Sequence, residues 1–157
     1  MIYLGADHGG YQLKEKIKEW LGAWGYEFTD MGNIKYDRED DYPEFAFKVA
    51  EKVAGDEKRE GGYPKSWSER SKGILVCRSG GGIVIAANKV RGGRAVGAYN
   101  TIHARHAREH NDANILAVSG DYSKEAEVQE IIKTFLETEF TGEERHRRRI
   151  EMIENRK

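Results

Sequence analysis

The single cysteine, Cys77, ends the short apolar run Gly73-Ile74-Leu75-Val76-Cys77 and is followed at once by Arg78-Ser79-Gly80-Gly81-Gly82. Glycines between a strand and the apolar run Ile83 to Val90 leave backbone N–H groups unobstructed at the positive end of a helix dipole. Ser79 to Gly82 is therefore a candidate anion or oxyanion site. Those donors and the Arg78 guanidinium are of the kind that lowers a thiol pKa, which would make Cys77 a thiolate base or nucleophile; a small buried hydrophobe is the alternative at that position. No Gly-Lys-Ser/Thr follows and Gly-x-Gly-x-x-Gly is absent, so neither ATP nor NAD is expected. Asp7-His8 closes another short apolar run, Ile2 to Ala6, and places a carboxylate and an imidazole where they can face the glycine loop, unless Asp7 only caps the next helix. His110, beside Asn111-Asp112, is a further acid–base candidate at a helix end, where a histidine can equally be a favourable dipole contact. Arg145, His146, Arg147, Arg148 and Arg149 form a basic cluster in which Arg145 and Arg149 share one helical face, suited to a phosphate or simply to solvent.

His103, His106 and His110 also share a face, which raises a metal site completed by His8 or Asp7. No recognisable metal motif accompanies them, and neither a metal nor any other cofactor is expected.

Hydrophobic period supplies the framework around these residues. Ile2 to Ala6 reads as a strand, and Leu13, Ile17, Trp20, Leu21 and Trp24 form one helical stripe ending at Gly25. Tyr26 to Asp30 is a second strand. Pro43 suits a helix first turn, and Phe45, Val49, Ala50 and Val53 continue that helix. From Gly55 to Lys72 no period is visible, and the sequence predicts a long exposed loop. Gly73 to Cys77 is the third strand and Ile83 to Val90, apolar nearly all round, a buried helix. Arg94 to Ala98 is a strand, Thr101 to His110 a helix, Asn114 to Val118 a strand, Ser123 to Thr138 a helix, and Glu143 to Arg156 a last charged helix. Short strands alternating with helices predict an α/β, doubly wound, Rossmann-like five-stranded parallel sheet covered on both faces, with an additional C-terminal helix. In that architecture ligands bind beyond the carboxyl ends of the strands, where Asp7-His8 and Cys77 to Gly82 fall.

With 157 residues, the length of one ordinary core, the chain is expected to be a single domain. Lys and Arg number 26 against 27 Asp and Glu, a net charge of -1, so no global basic field would draw it to nucleic acid or an anionic membrane. The start lacks the pattern of a signal peptide and the longest apolar runs are too short to span a bilayer. One cysteine cannot form an intrachain disulfide, and a cytoplasmic location is expected.

In this order, Gly5-Ala6-Asp7-His8-Gly9-Gly10-Tyr11, Asp41-Tyr42-Pro43, Ile74-Leu75-Val76-Cys77, Gly80-x-Gly82-Ile83-x-Ile85-Ala86-Ala87-Asn88-Lys89, Arg108-Glu109-His110-Asn111-Asp112-Ala113-Asn114 and Glu144-Arg145-His146-x-x-Arg149 are similar to the ribose-5-phosphate isomerase B family. That family includes galactose-6-phosphate and allose-6-phosphate isomerases, and the resemblance runs nearly end to end. It implies metal-free aldose–ketose isomerisation of a phosphorylated sugar through an enediolate. By position, Cys77 would be the base, His110 would assist ring opening and Ser79 to Gly82 would stabilise the oxyanion. Asp7, His8, Arg78, Gly80, Gly81, Gly82 and Asn111 would line the sugar, with Arg145 and Arg149 on its phosphate. The resemblance also implies a homodimer or homotetramer with the site at the subunit interface. Arg78 stands where the family usually has glycine, and Asp121 where an arginine commonly joins the phosphate site. These two suggest a pocket reshaped for another sugar, six-carbon or unphosphorylated; a silent sugar-binding subunit of a heteromeric isomerase is the non-enzymatic alternative.

Overall fold

The computed structural model describes residues 1–59 and 66–156. The elements in chain order are β1 (Ile2–Ala6), α1 (Tyr11–Ala23), β2 (Phe28–Asp30), α2 (Tyr42–Arg59), β3 (Lys72–Cys77), α3 (Gly81–Ala87), β4 (Ala95–Gly97), α4 (Thr101–Asn111), β5 (Ile115–Ser119), α5 (Glu125–Glu137) and α6 (Glu144–Glu154). The strands form one parallel sheet in the order β2-β1-β3-β5-β4, the doubly wound α/β arrangement the alternation predicts.

Strand residues alternate between the two faces, and each face has its own layer of helices. Leu4 and Ala6, Ile74 and Val76, and Leu116 and Val118 pack against α1, α4 and α5. Tyr3, Leu75, Cys77, Ile115 and Ala117 pack against α2 and α3. Central strands buried on both sides explain why β1, β3 and β5 read as unbroken apolar runs rather than alternating ones. Cys77 therefore ends its strand on the α2/α3 side.

The segment from 55 to 72 departs from the loop the sequence suggests. Residues 55–59 continue α2 and Lys72 begins β3; residues 60–65 lie outside the described residues. The stretch that leads into β3 is not an exposed excursion, because Trp67 is only 1% exposed. Its indole Nε1 donates to the Phe135 carbonyl at 2.9 Å, its backbone N–H donates to the Glu139 carboxylate at 3.1 Å, and its ring meets Phe135 edge-on. The Arg108 guanidinium lies 3.4 Å above the indole, and the Lys72 ammonium also lies within cation–π range, 4.4 Å from the ring centroid. One large aromatic side chain thus anchors the segment to the end of α5, a long-range contact that has no local period.

α3 is also less enclosed than its composition suggests: Ile83 and Ala87 are buried while Ile85 is 66% exposed.

At the amino ends of the strands Asp112 is fully buried and adopts a left-handed conformation, φ 46°, immediately after α4. Its carboxylate accepts from Arg70 at 2.8 Å and from Arg94 at 3.1 Å, and Arg108 lies 3.0 Å away. Burial would raise this carboxyl, yet the surrounding guanidiniums of Arg70, Arg108 and Arg94 hold it below the ordinary carboxylate range. This cluster fixes where α4 stops, and with it the position of His110 and Asn111.

Candidate active site

The crevice at the carboxyl ends of β1 and β3 collects the first group. β1 and β3 are paired neighbours, with Ala6 opposite Val76, so Asp7 and Cys77 emerge at one edge. The chain leaves β1 through a turn in which the Asp7 Oδ1 accepts from the Gly10 N–H at 3.0 Å. Gly10 must be glycine: a Cβ there would stand 2.4 Å from the Val76 carbonyl oxygen, so α1 can start against β3 only without a side chain. Asp7 thus tightens the entry to α1 and also stays in the crevice, and burial raises its carboxyl above the usual value.

His8 is held by a residue that motif reading passes over. Asp40 accepts from both the His8 backbone N–H, at 2.8 Å, and its Nδ1, at 2.7 Å. The other oxygen of Asp40 takes the Asn33 amide at 2.6 Å, so the acceptor is itself fixed. The Asp40 hydrogen bond raises the His8 pKa and keeps the imidazole cationic to higher pH. Asp40 sits in a polar, turn-rich stretch without a period; its only signal is proximity to the Asp41-Tyr42-Pro43 segment.

Cys77 is 5% exposed, and its Sγ accepts from the Gly80 N–H at 3.2 Å. Gly80 has φ +82°, a left-handed conformation that turns the chain tightly enough to aim this N–H back at the sulfur. The N–H groups of Ile83 and Ser79 also favour the thiolate. The sequence suggests that such donors would lower the thiol pKa; in the structure burial outweighs them and Asp7 adds to it, so the thiol is raised. The donors are nonetheless in place around any thiolate that forms. The glycine loop is therefore engaged in part by Cys77 itself. Ser79 Oγ accepts from the Gly81 N–H at 3.3 Å, and the Tyr42 ring covers Gly82, where a Cβ would stand 2.8 Å from it. Arg78 lies across Gly9 and reaches Asp121, Nη1 to Oδ2 3.5 Å, in an exposed pair at the mouth of the crevice.

The second group lies elsewhere. α4 runs from the carboxyl end of β4 back to the amino end of β5, so His110 and Asn111 emerge at the edge opposite Cys77. The segment leading into α6 is fastened there: Thr141 donates from its N–H and its hydroxyl to the Glu109 carbonyl, at 3.3 and 2.8 Å. His110 stacks on His146 with ring centroids 4.7 Å apart. Arg145, paired with Glu143 at 2.8 Å, and Arg149 are exposed on the same helix. Gly73 pairs with Ile115 and Cys77 with Ser119, so the two edges are separated by the length of β3, about 13 Å at the usual strand rise. Asp7, His8, Arg78, Ser79, Gly80, Gly81 and Gly82 gather with Cys77; His110, Asn111, Arg145 and Arg149 do not.

The three-histidine metal reading does not survive the geometry. His103 meets the Tyr99 ring edge-on, His106 and His110 stack face to face, and among the described residues no group of three or more His, Cys, Asp or Glu is placed to hold a metal ion.

A family model described as Ribose/Galactose Isomerase matches residues 2–153. The chain belongs to the ribose/galactose isomerase family. Ribose-5-phosphate isomerase B of Mycobacterium tuberculosis is 39% identical over 152 residues, 97% of this chain and 86% of that protein. Ribose-5-phosphate isomerase B of Mycoplasma genitalium, a crystal structure with bound ribulose 5-phosphate, superposes with a TM-score of 0.86 at 37% identity, covering 98% of this chain and 93% of that one. The Clostridium thermocellum ribose-5-phosphate isomerase B has a TM-score of 0.84 at 42% identity, covering 98% and 94%. As a member of the family the chain is an aldose–ketose isomerase. Among the described residues no helix is long and apolar enough to cross a membrane.

Proposed function

We propose that this isomerase interconverts an aldose phosphate of the ribose 5-phosphate type and its ketose, with Cys77 as the base and with each site built from two copies of the chain. The observation that carries this is the surround of Cys77: a single sulfur in the β1/β3 crevice, ringed by backbone N–H donors and beside Asp7 and His8. A thiolate there takes the proton from C2 of the open-chain aldose, the electron pair moves into the C1–C2 bond, and the carbonyl oxygen becomes the enediolate oxygen. The hydroxyl proton of O2 passes to O1, and returning the abstracted proton to C1 as the C2 carbonyl forms completes the ketose with no redox partner. The glycine loop, with the Gly81 N–H freed from Ser79 Oγ when substrate binds, and the Ser79 hydroxyl stabilise the developing oxyanion. Arg78, Asp7 and His8 line the sugar.

Ring opening and phosphate binding fall to residues that one chain holds at its far edge. His110 and Asn111 of a second copy, with Arg145 and Arg149 on the phosphate, complete the site when two chains associate with those edges facing. This reading supports a homodimer, or a homotetramer of two such dimers, acting on a soluble sugar phosphate in the cytoplasm, with no part for nucleic acid or membrane.

The Arg78–Asp121 pair favours a second reading of the substrate. The arginine is tethered by a carboxylate at the crevice mouth, where it alters the charge and width met by the sugar. A six-carbon phosphate or a sugar without phosphate would then be turned over faster than ribose 5-phosphate.

The test is proton NMR in D2O with ribose 5-phosphate, allose 6-phosphate and galactose 6-phosphate. Cys77-dependent loss of the C2 proton signal with one of them supports the reading and names the sugar. Unchanged exchange by Cys77→Ala would transfer the base role to another residue, with Asp7 the first to test.

A further inference from the structure

His110 is gripped on both faces by imidazoles. On one side His106, one helical turn earlier on α4, stacks with centroids 4.7 Å apart and planes at 28°; on the other, His146 of α6 stacks at 4.7 Å and 17°. His146 is buried and His106 is exposed, so the column runs from the α4–α6 junction out to the surface. Among the described residues neither ring nitrogen of His110 has a hydrogen-bond partner. A ring clamped on its faces and open at its edges has lost its freedom to rotate about χ1 and χ2, while both nitrogens remain available to a ligand. The arrangement rests on local geometry at each step. Residues four apart on a helix are neighbours, which brings His106 to His110. The anchoring of residue 141 to Glu109 brings α6 to the other side.

We propose that His106 is a positioning residue: together with His146 it fixes the ring plane of His110 so that its edge meets the ring oxygen and anomeric hydroxyl of the cyclic sugar. The proposal rests on the reading of His110 as the ring-opening group. In that step His110 relays a proton from the anomeric hydroxyl to the ring oxygen as the C1–ring oxygen bond breaks, so the ring gains no net proton. A misoriented ring therefore slows opening without weakening the hold on the phosphate. An aromatic pair is worth about 0.5 to 1.5 kcal/mol beyond its buried area, so losing one stack lets the ring sample other rotamers and slows the step about two- to tenfold.

The test compares full-length wild-type protein with His106→Leu, His106→Phe and His110→Ala, on ribose 5-phosphate and on a four-carbon aldose 4-phosphate. The latter cannot close a furanose ring because its 4-oxygen is esterified, and its C2 proton exchange in D2O reads the Cys77 step alone. Expected for His106→Leu is a kcat on ribose 5-phosphate lowered about two- to tenfold with little change in KM, and unchanged exchange on the acyclic substrate. His106→Phe, which restores a stacking face without a titratable nitrogen, recovers most of the loss. In proton NMR the His110 ring signals, shifted by the flanking rings, move in His106→Leu and return toward wild type in His106→Phe. Full ribose 5-phosphate turnover by His106→Leu, or an equal loss on both substrates, overturns the proposal while leaving the role of His110 intact. Full turnover by His110→Ala overturns the ring-opening reading itself, and the proposal with it.

Discussion

Cys77 and His110 stand at opposite ends of the same sheet: Cys77 closes β3 at its carboxyl end, and His110 finishes α4 beside the amino end of β5, the strand next to β3. No side-chain rotation closes a separation of roughly a strand length. If both act on one sugar, they must come from different chains.

Replacing Cys77 with Ala removes the proposed base. Exchange of the C2 proton of ribose 5-phosphate falls by at least about 10² to 10⁴, the worth of a positioned base, while substrate affinity measured by calorimetry changes little.

Because burial raises the Cys77 thiol above its ordinary value of 9.0, the thiolate fraction of the free enzyme grows as pH rises. The kcat/KM profile is therefore expected to climb into the alkaline range. Thiolate absorbance in the ultraviolet, titrated against pH, is expected to rise over the same alkaline range.

The His8–Asp40 contact sets a second pH dependence. The folded pKa of His8 is raised, so the stability it contributes is fully present below the ordinary value of 6.5 and is lost as pH rises through the folded value. Asp40→Asn lowers the His8 titration seen by NMR and removes that dependence. It also raises the KM for the sugar phosphate, because His8 is then neutral over more of the working range.

Two structural substitutions separate fold from site. Asp112→Ala leaves the buried guanidiniums of Arg70, Arg94 and Arg108 without their shared carboxylate and is expected to cost about 3 to 5 kcal/mol in urea unfolding. Trp67→Ala opens a cavity beneath Arg108 and Phe135 and costs a similar ~3 to 5 kcal/mol. Trp67 lies away from the crevice, so the folded fraction of that variant retains its kcat.

Much of this is legible in the sequence where a local rule governs it. The apolar strands, the stripes of α1 and α5, and the glycine loop after Cys77 each arise from the residues within one element. Asp7 and Cys77 can be placed at one edge because parallel topology decides it. The rest depends on partners far along the chain. Trp67 reads as part of an exposed loop because its partners, Phe135 and Glu139, lie some seventy residues away. Asp40 gives no signal beyond its place beside Asp41-Tyr42-Pro43, because its role is one pair of hydrogen bonds to His8, set by the path of an aperiodic turn. Of the two readings the sequence leaves open for Cys77, a donor-stabilised thiolate or a buried side chain, it does not choose, because a count of nearby N–H donors does not reveal how far burial raises the thiol. His106, in sequence only one of three histidines on a helical face, gains its meaning from the position of α6, which completes the stack of His106, His110 and His146.

The shared site is tested most directly by mixing two inactive proteins. Cys77→Ala and His110→Ala, each depleted in activity alone, are unfolded and refolded together in equal amounts and assayed with ribose 5-phosphate, or with whichever sugar the exchange experiment identifies. In a two-fold dimer with composite sites, one site of every mixed dimer carries both substitutions and the other neither, so random pairing restores about a quarter of the wild-type sites. Recovery near that level, absent when either variant is refolded alone, is the predicted result. No recovery from a demonstrated mixed dimer would contradict the account and place Cys77 and the ring-opening group in the same chain.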